Sequence, residues 1–258
     1  QPWLVIDYLS AEGRTKSFHL SKSTCPRTGH ISTYFYPGFE EGTGGIIYSD
    51  LLQLGHSTES AISESIEFNQ VFVFSYPHSP LKELELCLTA NQSLTIAGDD
   101  ATPNGLKTLR AGFCRLTEFD KLLQSFDFLF VRGEDSFVRA QLAGKPFVWN
   151  IYPTEDAAHA EKLLAFFGLY KQGLNPKAAD ALLSLWWIWN NLDDANTNRP
   201  IDLMHAPASL AEAWDAVQAA SRELRVHALR WKSRLLNGPE LVSEILTWAS
   251  IQSPTSHK

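Results

Sequence analysis

Residues 126–150 read FDFLFVRGEDSFVRAQLAGKPFVWN, and this stretch decides the fold. Phe126 to Val131 is an almost continuous apolar run, the pattern of a strand buried on both faces. Asp135 to Ala143 reads as a helix closed by Gly144. Pro146 to Trp149 then reads as another buried strand. The same alternation extends in both directions. Upstream, Val71 to Ser75 is a short apolar strand, and Pro80 opens a helix through about Ala90. Ser93 to Ala97 is a strand ended by Gly98-Asp99-Asp100, and Thr108 to Phe113 is a further strand. Thr117 can cap a helix over Glu118 to Ser125. Downstream, a longer helix covers Glu155 to Leu169. Strands and helices in this rhythm predict an α/β fold with a parallel sheet covered on both faces.

The two ends of the chain read differently. Trp3 to Leu9 (WLVIDYL) is a strand by composition. Pro37-Gly38 and Gly44-Gly45 mark tight turns where the backbone can approach something closely. Residues 56–66 (HSTESAISESI) read as a surface loop or loose helix. The tail is helical. Pro176 to Asn191 carries Trp186, Trp187 and Trp189, read as core and inter-helix packing. Ser209 and Glu212 form a capping-box pattern. Leu210, Trp214, Val217, Leu224 and Trp231 recur at helical spacing. Gly238 is a fitting stop, and Pro239 can open a last helix.

Composition narrows the function classes. The chain has 258 residues and a net charge of -7, which makes general binding to nucleic acid or an anionic membrane surface unfavourable. Cys25, Cys87 and Cys114 are far apart, so neither a zinc site nor a disulfide framework is expected, and a reducing compartment fits. No apolar run approaches the roughly 18 residues of a membrane span, and no leader pattern opens the chain. The eight histidines form no HxxxH or HExxH pair. GxxxxGK[ST], GxGxxG and GxSxG are absent, which removes the simplest kinase-like, dehydrogenase and hydrolase readings. Asp99-Asp100 and Asp193-Asp194 are not the Asp-x-Asp of metal-dependent glycosyltransferases. The chain begins Gln1-Pro2-Trp3 and its one methionine is Met204, which is read as a piece of a longer protein.

The sharpest chemical signal is Val131-Arg132-Gly133-Glu134-Asp135-Ser136, between a buried strand and a helix. Ligands of open α/β sheets collect at the carboxyl ends of strands. A helix N-terminus offers amide N–H groups and a partial positive charge, which suit phosphate. Arg132 adds a forked, permanent cation, and Glu134 can accept from a sugar hydroxyl or hold a base. The same pattern also serves a plain N-cap and a surface charge, and the residues by themselves leave both readings open. Phe74, Tyr76, Phe113 and Phe119 fall at other strand ends or helix starts. They suit either core packing or the stacking of a flat base.

Several runs together resemble a known family. They are Tyr8-Leu9-Ser10-Ala11-Glu12, Tyr36-Pro37-Gly38-Phe39 with Thr43-Gly44-Gly45, and Arg132-Gly133-Glu134-Asp135-Ser136-Phe137-Val138-Arg139-Ala140-Gln141. Ala143-Gly144-Lys145-Pro146-Phe147-Val148-Trp149 and Ile151-Tyr152-Pro153 continue the pattern in order. They are similar to the protein-arginine rhamnosyltransferases of elongation factor P, over roughly residues 3 to 190. The resemblance implies a GT-B fold of two Rossmann-like domains in a bacterial cytoplasmic enzyme. Rhamnose passes from dTDP-β-L-rhamnose to an arginine of elongation factor P with inversion and without a metal or other cofactor. Residues 1–56 would be the remainder of an N-terminal domain and an interdomain segment. Residues 57–258 would be the C-terminal nucleotide-sugar-binding domain with its helical tail.

By position, Arg132 matches the residue beside the diphosphate, and Glu134, Asp135 and Ser136 match the donor-binding run. Glu134 matches a supporting catalytic glutamate. Phe113 and Phe119 match rings around the thymine, and Phe74 or Tyr76 a further ring there. The principal catalytic aspartate and the surface for elongation factor P would belong to an N-terminal domain largely missing here, so the isolated chain is expected to bind donor without turnover. Leu116-Thr117 stands where the family has Pro-Gln, and Thr154 where it has Gln. Another GT-B transferase using a different nucleotide sugar is an alternative, and the Leu116-Thr117 departure keeps a non-catalytic nucleotide-binding or protein-docking module open as a second.

Overall fold

The structure is a computed structural model, and it describes residues 3–48, 67–98, 108–112, 114–155, 158–193, 200, 203 and 207–252. The chain divides into two compact units. One joins residues 1–50 with 233–258, and the other runs from 51 to 232.

The larger unit is built on five strands: β4 (Gln70–Val73), β5 (Ser93–Ala97), β6 (Thr108–Ala111), β7 (Phe128–Arg132) and β8 (Phe147–Asn150). They pair in the order β6-β5-β4-β7-β8, and every pairing is parallel. The helices between and after them are α2 (Leu81–Cys87), α3 (Leu116–Gln124), α4 (Asp135–Ala143), α5 (Ala158–Tyr170), α6 (Pro176–Trp189), α7 (Leu210–Ala219) and α8 (Ser221–Leu236).

Register explains why the strands are apolar throughout. Val71 lies opposite Phe128, and Val73 opposite Phe130, so these four share one face of the sheet. Phe130 packs 4.2 Å from the Trp189 ring and Phe128 5.3 Å from Trp214, so α6 and α7 cover that face. Phe72 points the other way and meets Phe119 of α3. Both faces are therefore dry, as the FDFLFV run predicted. Trp186, Trp187 and Trp189 are all almost wholly buried, and Trp186 donates its indole N–H to Phe147 O at 2.7 Å. Truncating such a ring in a filled core costs about 3–5 kcal/mol.

The helix starts follow local chemistry. Gly144 closes α4 with φ of 69°, a conformation that suits glycine. Asn175 caps α6 by accepting from Ala178 N–H, and Pro176 takes the first helical position. Ser209 and Glu212 form the expected capping box on α7. Some boundaries differ from the sequence reading. Thr117 lies inside α3 rather than at its cap. The Glu118 carboxylate reaches back to the Arg115 N–H at 3.0 Å and sets the start two residues earlier. The strand expected at Val71 to Ser75 ends at Val73, so Phe74 and Tyr76 stand on the following loop. The periodic run from Leu210 to Trp231 belongs to two helices, α7 and α8. Residues 56–66, Asp99-Asp100 and Asp194 lie outside the described residues.

The smaller unit has a three-stranded sheet in the order β1-β3-β2, from β1 (Trp3–Ile6), β2 (Lys22–Thr24) and β3 (Ile31–Phe35), with α1 (Gly13–Phe18) between β1 and β2. β1 runs parallel to β3 and β2 antiparallel to it. The last helix, α9 (Leu241–Gln252), belongs to this unit, whereas the sequence reading grouped the whole tail with residues 57–258. The reason lies at Gly45. A Cβ there would stand 2.1 Å from Pro239 O, and Leu241 N–H donates to Ile46 O. Among the described residues, no helix is long and apolar enough to cross a membrane.

Candidate functional site

The strand order places a crevice before any side chain is considered. From β4 the sheet proceeds to β5 and β6 on one side and to β7 and β8 on the other. The switch in direction lies between β4 and β7, and ligands of open parallel sheets bind at the carboxyl ends of the strands at that point. Phe74, Ser75 and Tyr76 follow β4. Arg132 ends β7, and Gly133 and Glu134 lead into α4. Phe74 N–H donates to Phe130 O at 2.8 Å, which keeps the two strands paired to the rim.

Arg132 is held by this rim. Its Nη1 donates to Ser75 O at 3.0 Å. Its guanidinium carbon lies 4.3 Å from the Phe74 ring centre and 5.2 Å from that of Tyr76, within range of cation–π attraction. No carboxylate among the described residues pairs with it. Phe119 meets Phe74 edge-on at 6.3 Å, so Phe74 joins the arginine to the α3 aromatic. Phe113 lies outside the described residues.

The start of α4 completes the positive corner. Its first intrahelical bond runs from Val138 N–H to Glu134 O, so the amides of Asp135 and Ser136 occupy the helix positions that face anions. The Ser136 side chain is buried, and its hydroxyl donates to Arg132 O, which locks the helix start onto the strand end. Its contribution to the rim is therefore its backbone. Asp135 is exposed and accepts from Arg139 Nε at 2.8 Å, while Arg139 Nη1 reaches both oxygens of buried Asp120 at 2.7 and 2.9 Å. Glu134 is half-exposed, with Lys162 Nζ 3.8 Å from its carboxylate.

Tyr76 is the most surrounded ring of the set. It stacks on His78 at 5.7 Å and meets Tyr152 edge-on at 5.7 Å. Gly133 has φ of 69°, and a Cβ there would lie 3.6 Å from the Tyr76 hydroxyl, so the turn passes close beneath the phenol. Burial pushes the Tyr76 hydroxyl above its ordinary pKa, with Arg132 pulling the other way; at neutral pH it is a proton donor. Burial also lowers the pKa of His78.

Sequence reading did not single out the residues beneath this rim. Asn150 is fully buried, and its carbonyl oxygen accepts from Tyr76 N–H and Ser79 Oγ. Trp149 Nε1 donates to Gly133 O at 2.9 Å. The signal was present in one form only: Asn150 is the polar residue that ends an otherwise apolar strand. Among the described residues, no three His, Cys, Asp or Glu side chains converge as a metal site.

Comparison with known proteins identifies the family. Residues 1–97 and 80–250 match the family described as Elongation-Factor P (EF-P) rhamnosyltransferase EarP. The protein-arginine rhamnosyltransferase of Pseudomonas putida is 31% identical, covering 95% of this chain and 70% of its own. That of Pseudomonas aeruginosa is 30% identical with the same coverage. A solved structure described as the basis for EarP-mediated arginine glycosylation of translation elongation factor EF-P superposes with a TM-score of 0.63. It is 27% identical, over 85% of this chain and 76% of that one. This chain is a member of the EarP family of protein-arginine rhamnosyltransferases.

Proposed function

We propose that the crevice between β4 and β7 binds the donor dTDP-β-L-rhamnose for transfer of its rhamnose to an arginine of elongation factor P. The observation that carries this reading is Arg132. It is a cation with no carboxylate partner among the described residues, held against Phe74 and Tyr76 beside the start of α4. A pyrophosphate accepts from Arg132 and from the amides of Asp135 and Ser136, and thymine packs toward Phe74 and Phe119. The Tyr76 phenol, neutral at working pH, is a further donor for the phosphates.

The chemistry then follows from charge. A guanidinium nitrogen attacks the anomeric carbon, the bond from that carbon to the phosphate oxygen breaks, and dTDP leaves with the electron pair. The guanidinium is a poor nucleophile because it stays protonated, with a pKa above about 12, so a carboxylate must orient it and take its proton. Glu134 supports that step by positioning donor or acceptor. Arg132 and the helix amides stabilise the leaving diphosphate by fixed positive charge, a role that needs no metal.

Titration with dTDP, UDP and GDP tests the donor side. dTDP should bind most tightly, and a clear preference for UDP or GDP would replace the thymidine reading with another nucleotide sugar. Intact mass of elongation factor P incubated with the protein and dTDP-rhamnose tests the transfer. The isolated chain is expected to leave that mass unchanged; one added deoxyhexose, lost when the acceptor arginine is replaced, would show that it completes the transfer by itself.

A further inference from the structure

Asn150 sits where the loop after β4, the turn after β7 and the end of α6 meet. Its side chain is wholly buried at the end of β8. Its Oδ1 accepts from Tyr76 N–H at 2.8 Å and from Ser79 Oγ at 2.9 Å, both on the loop after β4. Its backbone carbonyl accepts from Gly133 N–H at 3.3 Å, on the turn after β7. Its Nδ2 donates to Asn190 Oδ1 at 3.2 Å, at the end of α6.

Asn190 fixes which way the Asn150 amide faces. Asn190 Nδ2 donates to Trp149 O and to Trp186 O, each at 2.8 Å. Carbonyls only accept, so this end must be the amine. Asn190 Oδ1 is then turned toward Ile151 N–H, at 2.9 Å, and toward Asn150. Asn150 must present its own amine there and its oxygen to Tyr76. Two buried amides thus form a directional relay from α6 to the backbone of Tyr76. A buried relay of this kind is unforgiving, because a lost partner leaves a buried donor or acceptor unpaired.

We propose that Asn150, oriented by Asn190, is a positioning residue for the nucleotide site: it clasps the loops after β4 and β7 together so that Tyr76 and the Gly133 turn hold a fixed geometry around Arg132. Asn150 touches no ligand itself. The inference rests on the nucleotide-binding reading above, and it adds that the diphosphate seat is set from behind by an amide on a neighbouring strand.

Two measurements on the full chain test it. In the first, amide hydrogen exchange compares the unaltered protein with Asn150→Leu and the milder Asn150→Asp. The Asp variant keeps the oxygen for Tyr76 and Ser79 but sets a carboxylate oxygen against Asn190 Oδ1. Peptides covering residues 74–79 should exchange about tenfold faster in both variants, with β5 and α7 unchanged. Acceleration spread evenly over the chain would make Asn150 an ordinary core contact and overturn the proposal; so would no acceleration at all.

The second measurement is a double-mutant cycle on dTDP affinity with Asn150→Asp and Tyr76→Ala. Asn150→Asp should weaken binding about tenfold when Tyr76 is present and much less when it is absent. Equal losses in both backgrounds would also overturn the proposal. If the unaltered protein does not bind dTDP, the nucleotide reading fails, and the exchange pattern alone decides whether the clasp exists.

Discussion

At the scale of single residues, Arg132 shows why charge alone does not describe this site. Its guanidinium lies against Phe74 while one N–H is tied to Ser75 O. The ring and the carbonyl fix the plane of the fork, and a planar fork suits a diphosphate in a way that an ammonium does not. Arg132→Lys should therefore weaken dTDP binding about tenfold although it keeps the charge, and Arg132→Ala should weaken it further. Calorimetric titration measures both; a Lys variant with full affinity would show that a point charge is enough. Arg132, Glu134 and the helix start were legible in sequence because strand-to-helix junctions leave a local pattern. Asn150 and Asn190 were not, because their partners lie 74 and 40 positions away along the chain and no spacing records them. Ser136 was read as part of the donor-binding run, and its hydroxyl turns back onto Arg132 O, which leaves its backbone to face the rim. A serine at the second helical position can serve either neighbour, and only packing decides.

At the scale of elements, α3 and α4 are joined by Arg139, and exposure separates its two ion pairs. The Asp120 side chain is 5% exposed and the Asp135 side chain 71%. Removing a buried partner leaves an uncompensated charge, whereas an exposed pair within one helix contributes little. Asp120→Ala should cost about 3 kcal/mol and Asp135→Asn below about 1 kcal/mol, read from urea unfolding midpoints. Equal costs would mean that Arg139 is held by packing rather than by Asp120. The helices themselves were legible from capping: Ser209 with Glu212, and Gly144 after Ala143, appear in the structure as the sequence placed them. The start of α3 was not. Thr117 is an acceptable cap by residue type, but the Glu118 carboxylate reaching back to Arg115 N–H satisfies the chain two residues earlier.

At the scale of the whole molecule, the parallel sheet was legible but its order was not. Apolar runs announce burial on both faces, while the turn from β4 toward β7 is set by contacts that no local window contains. The burial that makes the larger unit dry also makes its stability depend on pH through His227. This residue lies on α8, almost fully buried, with its ring edge-on to Tyr170 at 4.8 Å. Its Nε2 is 2.6 Å from Tyr170 O, and because a carbonyl only accepts, the neutral ring carries its proton there. Burial lowers the His227 pKa below the ordinary 6.5. The Tyr170 carbonyl and Glu223 oppose that shift without reversing it, and Arg230 adds to it. Between the folded and unfolded values the unfolded chain binds more protons, so stability rises with pH in that window. The His227 contribution is complete above about pH 6.5 and is lost as pH falls toward the folded value. The urea midpoint should therefore decline between about pH 8 and about pH 5.5, above the range where most carboxylates titrate. His227→Gln should lower the midpoint at pH 8, since Gln fills the space poorly, but flatten its dependence on pH. A slope left intact in His227→Gln would assign the effect to His78 or His19, which burial shifts in the same direction.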